Sequence, residues 1–174
     1  MTLSSIAKAK LQEYLANTKK KIDLNALERS LKESSNPALG SIKTIEEKDK
    51  NHDGFIQSSE APNLIKTIVD FSQTKQDIPS LPVAALTGAD QQSRQTADIF
   101  FKTLDANNPN TTEVNGTFLN EFLVKDDAVA ATDSAMKQVL GDSIHGESKE
   151  YLQNNSQSLA NLGIDQSFVT SLIR

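Results

Sequence analysis

Apolar residues recur at intervals of three and four over most of this chain, and that spacing limits its fold more than any other feature. Leu3, Ile6, Leu11, Tyr14 and Leu15 fall near one face of a helix, and Leu24, Leu27 and Leu31 form a second stripe. After a break at Ser35-Asn36-Pro37 the spacing resumes at Leu39, Ile42 and Ile45, and again at Leu64, Ile65, Ile68, Val69 and Phe71. Ala97, Phe100, Phe101 and Leu104 mark a helix over 90–104, and Phe118 to Val124 opens the next. Further helices are expected near 127–142, 147–160 and 165–173, the last capped by Asp165 as Asp23 caps the stripe at Leu24. No apolar/polar alternation of useful length competes with these stripes. The chain is expected to be all-α.

Proline and glycine divide it. Pro79 and Pro82 lie in a stretch without helical period that ends at Gly88. This predicts a linker over 77–88 between an N-terminal lobe, 1–76, and a C-terminal helical lobe, 89–174.

Charge and composition exclude several classes. With 18 basic and 23 acidic residues the net charge is -5, and no basic footprint for phosphate backbones exists, so no nucleic-acid partner is expected. Seven Phe, two Tyr and no Trp argue for a core of Leu, Ile, Val and Ala. Cysteine is absent, which removes disulfides, thiolate metal sites and a Cys nucleophile. No run approaches the ~20 apolar residues of a membrane span. The start, MTLSSIAKAK, lacks the apolar run of a signal peptide. A cytoplasmic location is the simplest expectation, with export by another route left open.

One segment carries chemistry. Residues 49–60 read DKNHDGFIQSSE, with oxygen-bearing side chains at alternate positions, a glycine at the sixth and a glutamate at the twelfth. A hard cation such as calcium takes six to eight oxygens at about 2.3–2.6 Å, and this spacing supplies them. Asp49, Asn51 and Asp53 offer side-chain oxygens, Phe55 its backbone carbonyl, Gln57 a direct or water-mediated oxygen, and Glu60 both oxygens of a closing carboxylate. Gly54 permits the sharp turn because it reaches left-handed conformations without cost.

This pattern resembles the loop of the EF-hand calcium-binding superfamily, and the chain as a whole is similar in length to calmodulin-like and sarcoplasmic calcium-binding proteins. The resemblance implies helix-loop-helix pairs and a short two-stranded contact between Ile56 and the equivalent residue of a partner loop. Two departures stand out: Lys48 replaces an apolar residue before the loop, and Pro62 sits early in the following helix. Upstream, Lys21 to Leu27 resembles the tail of such a loop without acidic ligands, and Ile22 lies 34 residues before Ile56. Downstream, 105–121 resembles a lengthened, degenerate loop in which Asp105, Asn107 and Glu121 stand near ligand positions, with 17 residues in place of 12. Ile22, Ile56, Phe118 and Ile164 would then mark four hands.

The motif with three carboxylates beside Lys48 and Lys50 suggests an affinity of ~10⁻⁶–10⁻⁴ M, with magnesium as a competitor. The expected function is a calcium-responsive sensor that modulates a protein or helical-peptide partner. The alternative is a calcium buffer, or a helical adaptor stabilised by calcium without a switch. His52 and His145 have no second ligand at metal spacing, and neither a G-x-S-x-G, a phosphate-cradling loop nor an HExxH occurs, so an enzyme is not expected.

Overall fold

The computed structural model describes residues 3–17, 21–33, 47, 54–56, 84, 86–107, 110, 113–114, 118–125, 127–140, 144 and 146–174. The described residues are predominantly helical: α1 (Leu3–Asn17), α2 (Leu24–Glu33), α3 (Gly88–Asn107), α4 (Leu119–Val124), α5 (Ala128–Val139), α6 (Gly146–Asn154), α7 (Ser156–Leu162) and α8 (Gln166–Ile173). Three short strands, β1 (Lys21–Asp23), β2 (Phe55–Ile56) and β3 (Glu113–Val114), form one sheet in the order β2-β1-β3. The stripes beginning at Leu39 and Leu64 lie outside the described residues.

Local hydrogen bonds explain the boundaries. Asp127 caps α5 by accepting from the N–H groups of Val129 at 2.8 Å and Ala130 at 3.1 Å. Asp165 caps α8 in the same way, through Ser167 and Phe168, as its sequence position predicts. At α3 the expected start, Asp90, is corrected to Gly88. Thr87 and Asp90 bond each other's backbone N–H at 3.3 and 3.4 Å, a reciprocal capping pair that moves the start two residues earlier. The helix expected over 147–160 is two helices. Asn155 turns its amide back onto the Tyr151 carbonyl at 2.7 Å and leaves helical geometry, at φ -107 and ψ 6. Gly163, at φ 98, then ends α7, and the Ile164 N–H reaches the Leu159 carbonyl at 3.0 Å.

α3 is the centre of the fold and packs against α1, α5, α6 and α7. Its Phe100 has no exposed surface and meets Phe118 edge-on at 5.3 Å between ring centres. Phe101 stacks on Tyr14 of α1 at 4.4 Å, with the rings 8° from parallel, and lies 5.5 Å from Phe122. The core is mostly Leu, Ile, Val and Ala, as the composition leads one to expect, and these side chains surround a cluster of four Phe where α3 faces the start of α4. α1 and α2, which precede 77–88, bury Leu11, Leu15, Leu27 and Leu31 in the same cluster as α3 to α8. The helices described on both sides of that segment share one core.

Charge also joins α1 to α3. Lys10 lies 3.0 Å from Asp98 and 3.5 Å from Glu13, Arg94 reaches Glu13 at 2.7 Å, and Lys102 reaches Asp98 at 3.0 Å. Burial opposes ionisation of Asp98, but the hydrogen bonds from Lys10 and Lys102 outweigh it and hold its carboxyl below the ordinary carboxylate value. Asp98 therefore stabilises the fold above that value, and the contribution is lost as pH falls through its lowered folded value. In Asp98→Asn the acid-dependent fall in urea midpoint below about pH 4 should be shallower than in the unsubstituted chain. At neutral pH, Phe100→Ala should cost about 3–5 kcal/mol of unfolding free energy in a urea titration.

Candidate metal centre

Of the six residues expected to hold an ion, Phe55 is described, and Asp49, Asn51, Asp53, Gln57 and Glu60 lie outside the described residues, as do His52 and His145. What precedes Phe55 is informative. Gly54 has φ +84, a left-handed conformation, and a Cβ built there meets nothing within 4 Å. The glycine is required by its backbone angle, not by crowding.

Phe55 and Ile56 then run antiparallel to β1, with Ile22 opposite Ile56 and Asp23 opposite Phe55. This is the contact that the resemblance places between Ile56 and a partner loop. The Leu24 N–H donates to the Gly54 carbonyl at 3.1 Å. In an antiparallel ladder, bonded pairs alternate with unbonded ones. With Leu24–Gly54 bonded, Ile22–Ile56 is the next bonded pair and Asp23–Phe55 falls between them. The peptide groups of Phe55 are therefore turned away from β1. That is the orientation a carbonyl ligand at this position needs. The Lys21 ammonium sits 4.0 Å from the centre of the Phe55 ring, a cation–π contact that fixes the ring on the opposite strand.

The degenerate loop at 105–121 has a different outcome. Asp105 accepts the Tyr14 hydroxyl at 2.8 Å, and Asn107, buried, accepts the Ser148 hydroxyl at 2.8 Å. The Glu121 carboxylate takes the Gln138 amide on one oxygen and Lys125 at 3.3 Å on the other. The three side chains expected near ligand positions thus face three different helices. Among the described residues no group of three or more His, Cys, Asp or Glu is placed to hold a metal. Phe118 is not a strand residue; it is buried at the start of α4, and Val114 pairs instead, parallel to β1 and opposite Ile22. Ile164 lies in the turn after α7 and joins no strand. Tyr14, Ser148 and Gln138 carried no sequence signal of these roles, because each partner lies on another helix.

A cleft of about 190 Å³ opens between α1 and α3, lined by Lys10, Glu13, Tyr14, Asp98, Phe101, Lys102 and Asp105. Its Lys10, Lys102, Glu13 and Asp98 are engaged in the ion pairs already described, and its Asp105 accepts the Tyr14 hydroxyl.

No protein-family model matches the chain, and neither does any curated protein or solved structure.

Gly54→Ala forces a side chain into a left-handed conformation with no compensating contact. It should destabilise the β1–β2 pairing by about 1–2 kcal/mol, read as faster amide exchange at Ile56.

Proposed function

We propose that the chain is a calcium-binding protein in which Asp49, Asn51, Asp53, the Phe55 carbonyl, Gln57 and Glu60 hold one ion, and in which binding modulates a protein or helical-peptide partner. The observation that carries this reading is the geometry at 54–56: a left-handed Gly54, and a Phe55 whose peptide groups turn away from β1. Both are what an oxygen-lined loop with this spacing needs around the ion. Calcium supplies charge neutralisation for the three carboxylates of the loop, which would otherwise repel one another at close range. Magnesium competes less well, because it demands a smaller, near-octahedral shell and dehydrates reluctantly.

A second reading, a buffer or a structurally calcium-stabilised protein, is favoured by one observation. Met136 is fully buried in the common core, so the adaptable methionine surface of a peptide-binding groove is not present there. The two readings differ in the surface that calcium exposes. A sensor gains binding of a hydrophobic dye when calcium is added, whereas a buffer gains thermal stability alone.

Calorimetric titration should give one calcium per chain with a dissociation constant of ~10⁻⁶–10⁻⁴ M. At calcium one hundred times that constant the fold should gain about 2.7 kcal/mol. Asp49→Ala combined with Glu60→Ala should abolish both effects. Stoichiometric binding that persists in this double variant would refute the assignment of the site.

A further inference from the structure

β1 is the only strand of the described sheet with a neighbour on both sides, and its two edges are claimed by different parts of the chain. Alternate residues of a strand direct their peptide groups to opposite edges. Ile22 faces β2, as the Leu24–Gly54 bond and the Ile22–Ile56 register require. Lys21 and Asp23 therefore face β3, where Val114 stands opposite Ile22 in a parallel register. β3 belongs to the connection between α3 and α4, and both ends of that connection are fastened to the core. Asp105 and Asn107 hold the α3 end through Tyr14 and Ser148, and Glu121 holds the α4 end through Gln138.

We propose that β1 relays the state of the loop at 49–60 to the α3–α4 connection, so that ion binding there orders Glu113–Val114. The proposal rests on the calcium reading above and adds the element that responds. The physical basis is that β2 and β3 bond alternate peptide groups of one three-residue strand. Loss of either neighbour frees backbone that the other must order again. A ligand that fixes β2 lowers the entropic cost of docking β3, and by linkage a docked β3 raises the affinity for the ion. The degenerate loop then has a use without an ion of its own: its ligand-like side chains anchor a strand that reads the other loop.

The test is amide hydrogen exchange on the unsubstituted chain, in chelator and in saturating calcium, with calorimetry on the same samples. The Ile56 and Val114 amides should both slow by at least about fivefold, the lower end of ordinary coupling between sites. Val169 in α8 should change less than either. Slowing at Ile56 with none at Val114 would overturn the relay while leaving the ion site intact. Equal slowing at Val114 and Val169 would mean general stabilisation and would also overturn it. No heat of binding and no change at Ile56 would overturn the calcium reading itself, and the relay with it. As a reciprocal arm, Val114→Pro removes the strand N–H and should weaken calcium binding at least about fivefold. An unchanged dissociation constant in that variant, with α8 exchange intact, would refute the relay.

Discussion

The contact of Phe100 with the rings around it is the interaction on which the rest of the molecule depends. α3 packs against four other helices, and its one fully enclosed phenylalanine meets Phe101, Phe118 and Phe122 within about one ring diameter. Because Phe118 and Phe122 belong to the start and middle of α4, this packing fixes where the α3–α4 connection begins and ends. Through Tyr14, stacked on Phe101, it also fixes α1, which leads directly towards β1. The sheet that carries Gly54 to Ile56 is therefore positioned by aromatic packing some distance from it along the chain.

Charge is used sparingly and mostly at the edges of that core. The α1–α3 ion pairs neutralise one another, and Lys137 bridges Asp133 and Asp165 where α5 meets α8. Hydrogen bonding to Lys137 and to the α8 backbone holds the Asp165 carboxyl below its ordinary value, as suits a residue that is both cap and ion-pair partner. Three buried threonines follow the same economy. Thr96, Thr103 and Thr132 each bond the carbonyl one turn back, so they occupy core positions without an unpaired donor.

Much of this was legible in the sequence, and the exceptions share a cause. Helix existence, the cap at Asp165, the left-handed Gly54 and the pairing of Ile22 with Ile56 all depend on residues close in sequence or on a short motif. The start of α3 was misplaced because Thr87 and Asp90 form the reciprocal cap with aspartate in place of the usual glutamate. The break at Asn155 depends on whether one amide bonds solvent or its own backbone, which spacing does not reveal. The fate of Asp105, Asn107 and Glu121 was illegible for a stronger reason. Their partners are 91, 41 and 17 residues away, and a carboxylate that binds an ion has the same sequence as one that accepts a tyrosine hydroxyl. Five of the six proposed ion ligands lie outside the described residues, so that part of the site stands on its spacing.

The parallel pairing of β1 with β3 joins Lys21 to Glu113 across 92 positions of chain. Contacts of such separation are costly in loop-closure entropy and form late, after local helices have already collapsed. α6, α7 and α8, by contrast, touch one another within the last thirty or so residues and can assemble early. During synthesis from the N-terminus, β1 emerges long before its parallel neighbour exists. β1 can meet β2, 34 positions away, before it meets β3, so the parallel edge is the later of the two to close.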